Sequence, residues 1–146
     1  MPPLLPKTDL VTLASSAARR HALEPALVCA TIEQESDWNP FAIRYEPVFR
    51  LRYVAPLNLA PTEEISRSIS WGLMQIMGQV AREHRFAETF LASLCDPQAN
   101  LEIGCAILHA MLAASAGDTA SALRLWNGGA DPDYASQVLA RISHYK

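Results

Sequence analysis

Ala26 to Pro40 reads ALVCATIEQESDWNP, an apolar run that passes into carboxylates and then into residues that stop a helix. Pro25 suits the first helical position, and Leu27, Val28 and Ile32 can share a buried face. Asn39-Pro40 forbids continuation, because Pro disfavours α geometry in the residue before it. The run therefore predicts a helix that delivers Glu35 at or near its C-terminus. There the negative end of the helix dipole, with partial burial, disfavours ionisation and raises the carboxyl pKa. A carboxyl that stays protonated near neutral pH can serve as a general acid.

Glu33 competes for that part. At about 100° per residue, two positions separated by two point to nearly opposite sides of a helix, so only one of them can face a given cleft. A solvated Glu on a helix end is the ordinary alternative for either.

Three later segments bear on the choice. Glu35-Ser36, followed by Asn39-Pro40 and Ala42, then Gly72-Leu73-Met74-Gln75, then Trp126-Asn127-Gly128-Gly129, resembles in kind and order the lytic transglycosylases with a lysozyme-like SLT domain. The resemblance runs from about Ala22 to Tyr145. It implies that Glu35, not Glu33, is the acid/base and that Gly72, Leu73, Met74 and Gln75 line a glycan groove. It also implies that Trp126 and Asn127 close the groove, and that the phenol of Tyr134 approaches the acid. Relatives carry Ala-Tyr where this chain has Leu125-Trp126, so a hydroxyl is lost there, and the indole is either a sugar-stacking face or a core plug. They also carry a Ser just upstream of the Gly turn that hydrogen-bonds the reacting centre, a part open to Ser68 or Ser70.

The bulk properties agree with one domain spanning 1–146 that needs neither disulfides nor metal to build its core. Half of the 146 residues are apolar, and 12 basic against 15 acidic residues give a formal charge of −3, without the footprint of a nucleic-acid or anionic-membrane binder. Cys29, Cys95 and Cys105 have no C-x-x-C spacing and read as free thiols, while the four histidines lack ligand spacing; no metal and no cofactor are expected. MPPLLPK is too poor in apolar residues for a signal segment, and no run approaches bilayer length. The expectation is a monomer made in the cytoplasm that reaches the cell wall through another agent, as a phage or prophage endolysin does.

The other elements follow from their punctuation. Thr8 or Asp9 is expected to cap a helix to about His21, followed by a tight corner into the Ala26 helix. Gly72 is expected to turn the chain just before a helix to about Arg85. Asp96-Pro97 caps the longest helix, about Gln98 to Ser115, closed by Gly117 and apolar around much of its circumference, which makes it the central buried helix with Cys105 and His109 as scaffold. Asp118 or Thr119 starts a helix to Trp126, stopped by Gly128-Gly129, and Pro132 to Tyr145 forms the last.

Residues 41–70 lose all period and form an irregular insertion, longer than in many relatives, with room for a short β-hairpin and a helix from Thr62 to Ile69. A long loop in a compact domain is usually a lid, a groove wall or disorder. Arg44-Tyr45-Glu46-Pro47 resembles a strand-and-turn segment bordering the site of some phage muramidases. Glu46 is thus either a second carboxylate or the partner of Arg44, Arg50 or Arg52 in an ion pair.

The expectation is a mainly α, lysozyme-like domain that cleaves the β-1,4 bond between N-acetylmuramic acid and N-acetylglucosamine in peptidoglycan. Release of a 1,6-anhydro product is favoured by the family pattern. A hydrolytic muramidase using Glu46, and a silent glycan-binding or virion-structural domain, are the alternatives; chitin is a further substrate to consider.

Overall fold

The computed structural model describes residues 4–146, and among these it is mainly helical, with eight α-helices and one three-stranded sheet. Helix α1 (Lys7–Arg20) starts two or three residues earlier than Thr8 or Asp9 would allow as caps. Pro6 takes the cap position, and its carbonyl accepts from the N–H groups of Asp9 and Leu10 at 3.0 and 3.1 Å. The corner after α1 is tight: Ala22 adopts φ 54°, and Leu23 N–H returns to the Ala18 carbonyl.

Helix α2 (Pro25–Ser36) buries every residue from Ala26 to Ile32 rather than a single face. It lies between α1 on one side and α8 with the C-terminal turn on the other. Each Leu, Val or Ile so enclosed contributes about 1.5–3 kcal/mol of burial free energy, which fixes the axis of the helix. Its end is sharp, with Asp37 and Trp38 in left-handed geometry before Asn39-Pro40. The longest helix, α6 (Pro97–Ala114), is capped as expected, Asp96 accepting from Ala99 N–H at 2.9 Å. It builds Asn100 to Leu108 into the core, but its last turns surface, so His109 is exposed rather than part of the scaffold.

The insertion is ordered. Strand β1 (Ile43–Tyr45) at its start pairs antiparallel with β2 (Ile69–Trp71) at its end, so the intervening chain returns to where it left. Between them lie a single helical turn α3 (Pro47–Phe49), a π-helical turn Arg50–Val54, a 3-10 turn Ala55–Leu57 and helix α4 (Pro61–Arg67). Helix α4 begins at Pro61 without a side-chain cap, so Thr62 is not the capping residue, and it ends before Ile69, which belongs to the sheet. Fully buried Val54 and the Arg50–Glu64 ion pair (3.0 Å) tie the segment to the body.

Gly72 to Gln75 do not lead directly into a helix. They form the turn of a hairpin between β2 and β3 (Ile76–Met77), and α5 (Gly78–Glu83) follows. A buried amide explains the difference. Asn100 accepts from Met74 N–H at 2.9 Å and donates to the carbonyls of Trp71 and Leu94 at 2.8 and 2.9 Å, clamping the turn onto α6. Gly72, at φ 70°, passes so close that a Cβ there would sit 2.5 Å from the Leu94 carbonyl oxygen. Helix α7 (Thr119–Trp126), capped by Asp118, and α8 (Tyr134–Arg141), continued by a 3-10 turn Ile142–Tyr145, complete the chain.

Candidate active site

The carboxylates of α2 separate as the helical angle requires. Glu33 turns toward the C-terminal segment, where Arg141 and His144 meet its Oε2 at 3.2 and 3.0 Å. Burial alone would raise its pKa, but the bonds from His144 and Arg141 outweigh that and hold it below the usual value. Glu35 turns the other way, into a cavity of about 570 Å3.

Two neutral donors converge on one oxygen of Glu35. The phenol of Tyr134, at the first position of α8, donates to Oε1 at 2.6 Å, and the indole Nε1 of Trp126, at the last position of α7, donates to the same atom at 3.0 Å. Neither carries charge. Burial pushes the Glu35 carboxyl above its ordinary range, against the lowering effect of these two bonds and of the Arg44 charge. The Tyr134 hydroxyl is pushed up as well, chiefly by burial and then by the neighbouring carboxylate, so it remains a donor throughout the working range.

Around this centre the fold gathers Glu46, Ser70, Gln75, Trp126 and Asn127 on one cavity. Glu46 pairs with Arg44 Nε at 2.6 Å. Between the two serines, Ser70 lines the cavity, whereas Ser68 is fully buried and donates to the Glu64 carbonyl. Gln75 turns its amide N–H groups inward, to the carbonyls of Ala42 and Gly72 at 2.9 Å each, so only its Oε1 is left for a ligand. Asn127 closes the turn after α7: with Oδ1 facing the chain, it accepts from Asp131 N–H at 2.8 Å.

Other residues of the pattern stand elsewhere. Leu73 and Met74 are fully buried core residues, and Gly72 is packed against Asn100; none of the three lines the cavity. The expectation that they touch substrate is corrected: their conformation positions Gln75 and the sheet. Ser36 does related work from α2, its hydroxyl donating to the Leu73 carbonyl at 2.8 Å and so fastening the Glu35 helix to the hairpin. Phe49 and Tyr53, which sequence reasoning passed over, also line the cavity. Their i, i+4 spacing within an otherwise aperiodic stretch is the signal that could have found them.

The family model described as the transglycosylase SLT domain matches residues 12–138. The chain belongs to the SLT transglycosylase family. No curated protein and no solved structure matches it. The SLT transglycosylases are lytic enzymes that cleave glycosidic bonds of peptidoglycan, and this chain is such an enzyme with a lysozyme-like fold. An SLT transglycosylase needs proton transfer at a sugar oxygen and a surface for a glycan strand, and a part-buried carboxyl with a raised pKa opening on a cavity can provide the first. Among the described residues no group of three His, Cys, Asp or Glu is arranged to hold a metal, and no helix is long and apolar enough to cross a membrane.

Proposed function

We propose that Glu35 is the single acid/base of a lytic transglycosylase that cuts between N-acetylmuramic acid and N-acetylglucosamine. The protonated carboxyl gives its proton to the bridging oxygen as the C1–O bond breaks and positive charge develops at the muramyl C1 and ring oxygen. The Glu35 carboxylate left behind takes the proton of the muramyl C6 hydroxyl, whose oxygen bonds to C1 and closes a 1,6-anhydro ring. Glu35 ends protonated, ready for another turnover. Tyr134 holds the carboxyl in place, and Ser70, Gln75 and Asn127 border the strand.

One observation supports this over two-carboxylate chemistry. Of the two carboxylates lining the cavity, Glu46 is held by the Arg44 guanidinium, while Glu35 meets only neutral donors. The guanidinium occupies a Glu46 oxygen that a water-activating role would use, and an internal C6 hydroxyl removes the need for a second carboxylate. The hydrolytic reading, with Glu46 activating water, rests on Glu46 lining the same cavity.

Mass spectrometry of digested cell wall separates the two. The anhydro product is expected, one water lighter than the hydrolytic one; a purely hydrated muramyl end would replace the transglycosylase reading. Glu35→Gln should abolish clearing in a zymogram, and equal clearing by variant and parent would remove Glu35 from the mechanism.

A further inference from the structure

We propose that the insertion between β1 and β2 carries a sugar-stacking subsite of its own, in which Tyr53, flanked by Phe49, receives the apolar face of a pyranose ring of the glycan strand. This rests on the reading that the cavity takes a glycan, but not on which group breaks the bond.

Phe49 and Tyr53 line the same cavity as Glu35, and their rings lie 5.0 Å apart at 49°. Tyr53 is 50% exposed, so part of its ring surface is left for a ligand to cover. The Arg52 guanidinium lies 5.2 Å from the Tyr53 ring centroid, yet Arg52 does not line the cavity.

The segment is tied to the body on both sides of Tyr53. Val54, next in the chain, is fully buried; Arg50 on the same π-helical turn is paired with Glu64; and Glu46 N–H donates to the Ser68 carbonyl at 2.9 Å. A platform held this way loses little conformational freedom on binding. A pyranose suits it, since its C–H groups can pack on an aromatic ring while its hydroxyl and acetamido groups stay free for polar partners such as Gln75 Oε1. Tyr53 touches substrate in this account but takes no part in bond cleavage.

The test measures binding separately from turnover. In the Glu35→Gln background, sedimentation with purified insoluble peptidoglycan should show Tyr53→Leu binding roughly three- to tenfold more weakly, while Tyr53→Phe binds as the parent does. Leu retains bulk without a ring, and an unchanged thermal midpoint and circular dichroism spectrum establish that the fold is kept. In the active enzyme, Tyr53→Leu should raise KM for glycan strands with kcat nearly unchanged. Binding by Tyr53→Leu equal to the parent overturns the subsite, as does a loss in Tyr53→Phe as large as in Tyr53→Leu. Failure of the acid/base reading would appear elsewhere, as wall clearing by Glu35→Gln, and would leave the Tyr53 binding result standing.

Discussion

The indole Nε1 of Trp126 donates to Glu35 Oε1 across 3.0 Å, so the residue that replaces tyrosine in the family pattern still meets the carboxyl. The contact is a further role beside the two expected of the indole, which also lines the cavity and packs against the core. Indole is a donor that cannot accept, and with the Tyr134 phenol it occupies Oε1, leaving Oε2 free for the proton that the proposed mechanism transfers. Both bonds favour the carboxylate, so removing either should raise the Glu35 pKa. The alkaline limb of the kcat–pH profile should then move upward in Trp126→Phe and further in Tyr134→Phe, whose bond is the shorter. A hydrogen bond to a charged group contributes about 1.5–3 kcal/mol, so each variant should lose roughly ten- to hundredfold in kcat below the limb. An alkaline limb that stays in place in both variants would mean that Glu35 is not the group whose ionisation it reports.

The same burial gives Glu35 a cost in stability that can be measured without substrate. Its folded pKa lies above the unfolded value of about 4.3. Between the two, the native state keeps a proton that the unfolded chain has released, so native stability falls as pH rises through that window and levels off above the folded pKa. Gln does not titrate and can accept the same two bonds. Thermal midpoints of Glu35→Gln and parent should therefore converge near pH 4 and separate in favour of the variant toward pH 8. A variant less stable than the parent at the higher pH would show that the carboxylate is better solvated than its surroundings indicate.

Legibility in the sequence followed locality. Pro25 and Asn39-Pro40 bound α2, and Asp96 and Asp118 cap α6 and α7 as expected, because each signal acts on backbone groups within a few residues. The opposed directions of Glu33 and Glu35 needed only helical geometry. What could not be read depended on contacts distant in sequence. The Gly72–Gln75 hairpin is set by Asn100, some twenty-five positions on, and an Asn inside a helix gives no hint of the turn it will clamp. The order in the insertion comes from β1 pairing with β2 and from Arg50 reaching Glu64, neither of which leaves a local period.

Asn100 should accordingly be among the most sensitive positions outside the cavity. Asn100→Ala strands the Met74 N–H and the carbonyls of Trp71 and Leu94 in a dry interior, at a cost of about 3–5 kcal/mol, or roughly ten degrees in thermal midpoint. Gly72→Ala should cost about 2–4 kcal/mol for another reason, since it adds a Cβ at φ 70° against the Leu94 carbonyl. Chemical denaturation measures both. Stability near that of the parent in either variant would mean that the turn has a second conformation that escapes the clamp.

Arg44 and Glu46 offer a paired test in which the two reaction schemes part. In the single-acid scheme Glu46 matters only through charge. Glu46→Gln should keep kcat within about threefold and still yield the anhydro product, because the C6 hydroxyl needs no second base. It should also free the Arg44 charge to act more strongly on Glu35, moving the alkaline limb down, whereas Arg44→Ala removes a charge that lowers the Glu35 pKa and should move the limb up. Both shifts should be small and shrink with added salt, because the Arg44 side chain is 73% exposed and solvent screens it. In the two-carboxylate scheme, by contrast, Glu46→Gln removes the base that activates water, and turnover should collapse, whereas the electrostatic shift at Glu35 is the same in both schemes. Product mass together with the size of the loss in turnover therefore separates a bystander carboxylate from a working one, even if both variants lose some activity through the shape of the groove.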